Sequence, residues 1–115
     1  MDIYRSIYER SIEDPEKFWG EAAGALHWDR PWDRVLDASK APFYRWFSGG
    51  KINTCFNAVD RHVAAGRGSQ PAIIHDSPVT DSRRVVTYAE LQNLVARFAG
   101  AMVRHGVAKG DRVIV

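Results

Sequence analysis

The sequence has 115 residues, of which 45% are hydrophobic and 26% charged, as in an ordinary globular protein of one domain or less. Sixteen basic and 14 acidic residues leave a net charge of +2, and the basic ones form no stripe of the kind that nucleic-acid binding needs. The single cysteine, Cys55, excludes an internal disulfide. No signal peptide and no apolar run of roughly 20 residues are found, so we expect a cytoplasmic protein without a membrane span.

The first part of the chain predicts two helices. Apolar residues recur at helical spacing over residues 2–12, which predicts the first helix: Tyr4, Ile7, Tyr8 and Ile12. Asp14 followed by Pro15 predicts the start of a second helix, because Asp caps a helix and Pro is tolerated at its first position. Gly24 lies near the expected end of this helix.

Residues 25–52 predict an irregular, aromatic-rich segment, because Pro31 and Pro42 interrupt regular structure. Its aromatic residues include Trp28, Trp32, Phe43, Trp46 and Phe47. Aromatic side chains stabilise a protein mainly by packing. We therefore interpret the segment as core or interdomain packing that needs a surface outside itself, rather than as a ligand-stacking site.

The second part of the chain predicts a helix over residues 55–65 and then a hairpin of two strands, residues 71–75 and 84–87, joined by a turn-forming loop. Thr87 and Glu90 form a capping box, which predicts the start of an amphipathic helix. Its apolar stripe ends near Gly106, a typical left-handed helix terminus: Leu91, Leu94, Val95, Phe98 and Met102. Residues 112–115 then predict a strand.

This order of elements predicts the opening of an α/β fold, which is α+β in the fragment alone. A strand at the end of the chain normally has a partner still to come, so we expect a truncated chain with an unfinished sheet. The alternative is a complete small α+β domain in which residues 112–115 form an edge strand.

Several short stretches resemble a known family. Residues 11–19 (SIEDPEKFW), 46–53 (WFSGGKIN) and 57–62 (NAVDRH) resemble segments of acetyl- and propionyl-CoA synthetases. Residues 84–91 (RVVTYAEL) and 106–113 (GVAKGDRV) resemble the start of the AMP-binding domain of the adenylate-forming superfamily. The chain is thus similar to the N-terminal fragment of an AMP-forming short-chain acyl-CoA synthetase. The loop of residues 76–80 resembles the propionyl branch more than the acetyl branch.

The resemblance implies a synthetase segment over residues 1–66 and the truncated start of the AMP-binding domain over residues 67–115. It implies a parent enzyme that uses ATP, Mg²⁺ and CoA to convert a small carboxylate into its thioester, releasing AMP and pyrophosphate. The phosphate-binding loop and catalytic lysine of the family have no counterpart in this sequence. We therefore assign no catalytic, cofactor-binding or metal-binding residue, expect no cofactor in this fragment, and expect it to be inactive alone.

The expected partners are the remainder of the parent synthetase and, through the unfinished sheet edge, other copies of the chain. The alternatives are an acetate–CoA ligase segment and a stand-alone module that holds a partner protein through its aromatics. The four histidines match no metal-binding spacing. We interpret His62 as structural, with a hydrogen bond that fixes its helix to the sheet or to the aromatic segment.

Overall fold

The computed structural model describes residues 2–114. The chain divides into two compact units, Met1–Thr54 and Cys55–Val115, called unit 1 and unit 2 below. The domain boundary expected from the family resemblance, between residues 66 and 67, is a different division and stays a prediction. Each unit combines helical turns with one two-stranded antiparallel sheet, which confirms the expected α+β mix.

Unit 1 begins with the two predicted helices, α1 (Ile3–Glu13) and α2 (Pro15–Ala23). The Asp14 carboxylate accepts a hydrogen bond from the backbone N–H of Lys17 at 3.0 Å, and Pro15 occupies the first turn of α2. The cap and the proline together explain why the chain turns at this point and starts a new helix.

The rest of unit 1 contains a hairpin that the sequence did not predict. Strand β1 (Arg34–Asp37) pairs antiparallel with β2 (Arg45–Ser48), with Leu36 opposite Trp46. The expectation that residues 25–52 would be irregular was therefore wrong, while the expectation that their aromatics pack on an outside surface stays a prediction. These strands have four residues each, too few to show an alternating pattern, and aromatic packing within the unit supports them.

Unit 2 begins with a helical stretch that takes the place of the predicted helix over residues 55–65. It consists largely of two π-helical turns, Phe56–Asp60 and Val63–Arg67. Gly66 has φ of +78° inside the second turn, a value that glycine adopts without the strain imposed by a Cβ. The stretch is thus helical as predicted but wider in its winding and kinked near its end.

The remainder of unit 2 agrees closely with the elements predicted from the sequence. Strands β3 (Pro71–Ser77) and β4 (Ser82–Thr87) form the expected hairpin, although with longer strands and a tighter turn. Helix α3 (Tyr88–Arg104) starts at the predicted capping box. It ends in a Schellman motif, in which Val107 N–H donates to the Met102 carbonyl and Gly106, with φ of +85°, takes the left-handed position.

The predicted strand over residues 112–115 is not formed in the part of the chain that the structure describes. Residues 112–114 have no strand partner there, and Val115 lies outside the described residues. A strand is stabilised by hydrogen bonds to a neighbouring strand, so apolar residues alone do not create one at this position.

The buried core is small. Among residues 2–114, the buried hydrophobic residues are Ala23, Val59 and Val86. The accessible surface is 9528 Å² for a mass of 13.0 kDa. A folded monomer of this mass exposes about 6,300 Å², and two separate domains of half the mass expose about 7,700 Å² together. The chain therefore presents far more surface than its size requires.

Candidate functional surface

Unit 1 contains an apolar cleft of about 430 Å³ between α2 and the hairpin region. Every residue that lines it is apolar: Trp19, Ala22, Ala23, Leu26, Trp28, Phe47 and Ile52. Binding sites for small molecules usually add a few convergent polar groups to such a lining. This cleft offers none, so its chemistry suits the burial of apolar side chains.

Trp28 lines this cleft, and local contacts hold it in place. Its indole N–H donates to the Ala23 carbonyl at 3.0 Å. Its ring packs against Trp32 and Phe47 with centroids 4.9 and 5.3 Å away. A Cβ added to Gly50 would lie 2.7 Å from Trp28 Cζ3, so the chain needs a glycine there to let the indole approach. The sequence predicted these aromatics to be packing residues, but only the structure shows that Trp28 and Phe47 line the same cleft.

Helix α1 adds a second exposed apolar surface to unit 1. Its large hydrophobic side chains are all solvent-exposed, by 47 to 76%: Ile3, Tyr4, Ile7, Tyr8 and Ile12. Tyr4 and Tyr8 stack on each other with centroids 6.2 Å apart. An amphipathic helix normally buries such a stripe, so α1 presents a surface built for packing.

Unit 2 contains a polar cluster where its helical stretch meets α3. Gln92 donates to the Asp60 carboxylate at 2.8 Å. The guanidinium of Arg67 contacts Nδ1 of His62, and the His62 ring meets the Tyr88 ring edge-on at 4.9 Å. His62 is thus structural in its contacts within unit 2, where its ring packs on the start of α3.

The environment of His62 favours its neutral form. Burial, followed by the charges of Arg67 and then Arg61, holds the pKa of His62 below its ordinary value. The Nδ1 that faces the Arg67 guanidinium must then be the acceptor, which leaves the proton of the neutral ring on Nε2. No sequence pattern predicted the contact between His62 and Arg67, because it is formed across a kinked helical turn.

Within residues 2–114, no three His, Cys, Asp or Glu side chains come together in a way that could hold a metal ion. The helices described in this range are also too short or too polar to cross a membrane. The features that distinguish this chain are therefore its packing surfaces and the cluster around His62.

Comparison with known proteins shows a consistent similarity to acyl-CoA synthetases. Residues 4–58 match the family described as acetyl-coenzyme A synthetase N-terminus. The chain is 45% identical over 112 residues to human "Acyl-CoA synthetase short-chain family member 3, mitochondrial", which covers 97% of this chain and 16% of that protein. It is 46% identical over 116 residues to the acetyl-coenzyme A synthetase of Syntrophus aciditrophicus, covering 99% and 18% respectively.

A solved structure of a synthetase is similar to this chain in its fold. The acetoacetyl-CoA synthetase from Streptomyces lividans matches with a TM-score of 0.80 and 29% sequence identity, over 98% of this chain and 17% of that one. The chain thus spans about a sixth of the length of the relatives it matches. In sequence and fold the chain is thus similar to the N-terminal region of acyl-CoA synthetases.

Proposed function

We propose that the chain is the N-terminal structural portion of an ATP-dependent, AMP-forming propionate–CoA ligase of the cytoplasm. The whole enzyme would convert propionate, ATP and CoA into propionyl-CoA, AMP and pyrophosphate. ATP, Mg²⁺ and CoA would be bound by parts of the enzyme beyond these residues. The role of this chain would be to pack against those parts and brace them, and alone it would be inactive.

The observation that carries this proposal is the match of nearly the whole chain to about one sixth of each synthetase it resembles. The exposed surfaces agree with it. The all-apolar cleft of unit 1 and the uncovered stripe of α1 are surfaces that a larger domain would bury. At roughly 25 cal/mol per Å² of apolar surface removed from water, covering them would stabilise the enzyme substantially.

Acetate is the second candidate substrate. The relatives named acetyl-coenzyme A synthetase are as similar to this chain, at 43 to 46% identity, as the human short-chain family member 3 protein at 45%. Our choice of propionate rests on the resemblance of residues 76–80, which comprise the end of β3 and part of the turn that follows it.

The test is the acid preference of the synthetase that contains this chain. The purified enzyme should form CoA thioesters in a reaction that requires ATP and Mg²⁺, and kcat/KM should be higher with propionate than with acetate. A higher kcat/KM with acetate would replace propionate by the second candidate. An enzyme that forms no thioester with any short carboxylate would overturn the proposal and favour an interaction module that uses the aromatic cleft.

A further inference from the structure

The second π-helical turn of unit 2 is anchored on both sides. Before it, Asp60 accepts a hydrogen bond from Gln92 of α3 at 2.8 Å. After it, the Gly68 carbonyl accepts a hydrogen bond from Ala89 N–H at 2.9 Å, also at the start of α3. Val63–Arg67 is therefore a short segment between two fixed points, and any movement of this turn must stay local.

Two features allow the turn to adopt a second conformation. Gly66 has φ of +78°, and a Cβ built there would meet no atom within 4 Å, so the backbone has free space around its kink. The π-helix is also rare, and single π-turns are often found at functional sites. The contact of Arg67 with His62 is the side-chain link that joins the end of this turn to the residue before it.

The contact between Arg67 and His62 depends on the protonation state of the His62 ring. The neutral His62 ring accepts a hydrogen bond at Nδ1 from the Arg67 guanidinium, and the His62 and Tyr88 rings meet in an edge-on arrangement. A proton added at Nδ1 removes the lone pair that accepts the hydrogen bond. It also places a third positive charge beside Arg61 and Arg67, the two cations that already act on His62.

The nearby acidic side chains do little to stabilise a positive charge on His62. Helix α3 is the element that packs against this turn from outside the helical stretch, and it presents Tyr88 to His62. The carboxylate of Glu90 on α3 is hydrogen-bonded by Thr87, and the other charged residues of α3 are Arg97 and Arg104. Asp60, the acid nearest in sequence, is engaged by Gln92.

We propose that His62 is a proton-sensitive latch: the neutral ring holds the Val63–Arg67 turn closed through Arg67, and protonation releases the turn at Gly66. Release would expose the Tyr88 ring at the start of α3 while the anchors at Asp60 and Gly68 stay in place. Mild acidification would thus loosen the Val63–Arg67 turn without unfolding unit 2. This proposal does not depend on whether the substrate of the synthetase is propionate or acetate.

The test is amide hydrogen exchange of the full 115-residue chain between pH 5 and pH 8, followed by NMR and corrected for intrinsic exchange rates. Protection of residues 63–67 should fall on acidification, by about tenfold per pH unit at most, because one proton is bound per opening. Residues 91–101 of α3 should keep their protection. The His62 ring should titrate at a lower pH in the folded chain than in the chain unfolded by urea.

Two variants separate the latch from a merely structural role. His62→Asn keeps an acceptor oxygen near the position of Nδ1 but does not titrate, so protection of residues 63–67 should become independent of pH. Arg67→Gln removes a cation and should raise the titration midpoint of His62. His75→Asn, at a histidine on β3, is the matched control and should leave the pH response unchanged. An equal response in His62→Asn and the original chain, or an unchanged His62 midpoint in Arg67→Gln, would overturn the proposal.

Discussion

Gln92 Nε2 donates a hydrogen bond to Asp60 Oδ1 across 32 positions of sequence, with a donor–acceptor distance of 2.8 Å. The bond is partly buried and joins the first π-helical turn to α3, two elements whose local sequence signals say nothing about each other. It fixes the helical stretch against the helix that follows the hairpin. The stability of unit 2 should therefore depend on this one side-chain pair.

Gln92→Ala should destabilise unit 2 by about 1–3 kcal/mol, because it leaves a partly buried carboxylate without its donor. The measurement is urea unfolding followed by far-ultraviolet circular dichroism. Asn93→Ala removes an amide from the next, exposed position of α3, where helix propensity favours alanine. That control should be neutral or slightly stabilising, and an equal loss in both variants would contradict a specific role for the bond.

The capping box predicts an acid-sensitive contribution to stability. Thr87 donates its backbone N–H at 2.8 Å and its hydroxyl at 3.0 Å to Glu90 Oε2. The backbone bond and then the hydroxyl bond hold the pKa of Glu90 below its ordinary value. A carboxylate whose pKa is lower in the folded state stabilises the fold fully above its unfolded pKa, about 4.3, and loses that effect as the pH falls through its folded pKa.

We therefore expect the urea midpoint of unit 2 to decrease as the pH is lowered from 5 to 3, and Glu90→Gln to reduce this decrease. Circular dichroism at a series of pH values provides the measurement. Glu13→Gln, at the end of α1 in unit 1, is the control and should leave the pH dependence of unit 2 unchanged. A pH dependence that Glu90→Gln does not alter would show that the cap is not its source.

The close approach of Trp28 to Gly50 gives a prediction for unit 1. Gly50→Ala should destabilise it by about 1–3 kcal/mol, because the new Cβ would lie 2.7 Å from the ring and 3.0 Å from the Phe47 carbonyl oxygen. Gly100→Ala on α3 is the opposite case. No atom lies within 4 Å of its Cβ, so the change should stabilise unit 2 by about 0.5–1 kcal/mol. Tryptophan fluorescence and circular dichroism in urea would measure both, and a neutral Gly50→Ala would contradict the packing described for Trp28.

Local signals were the part of this fold that the sequence could predict. Asp14 with Pro15 marks the start of α2, and Thr87 with Glu90 marks the start of α3, because each pair satisfies backbone groups within one turn. The hairpin of β1 and β2 was missed because Leu36 pairs with Trp46 across a loop and neither strand is long enough to show a period. The same limit applies to the cluster around His62, whose partners Arg67 and Tyr88 lie on different elements.

The strand predicted over residues 112–115 is the opposite case, in which a local signal predicted an element that is not formed within the described residues. Val113 and Ile114 are apolar and follow a turn, which favours a strand locally, yet they form none within the described residues. Strand formation depends on a neighbour, and the sequence of this segment carries no information about whether a neighbour is present. The aromatic cleft was equally hidden, since Trp19 and Ile52 come together only through the fold.

We propose that the exposed apolar surface makes the isolated chain self-associate. Light scattering should give an average mass that rises with protein concentration. Leu26→Gln, in the cleft of unit 1, should reduce this rise, whereas Val79→Gln should not. Val79 is 92% exposed, lies in the turn between β3 and β4 of unit 2, and does not line the cleft. A constant monomer mass at high concentration would contradict this prediction.

The central claim is that this chain supports a ligase whose chemistry lies elsewhere, and isothermal titration of the 115-residue chain tests it most directly. ATP with Mg²⁺, CoA and propionate would each be titrated separately, beside the synthetase that contains the chain. We predict no saturable heat from any of the three with the chain, and saturable binding by the synthetase. Saturable binding of any one of them to the 115-residue chain would contradict the claim and reveal a ligand site within these residues.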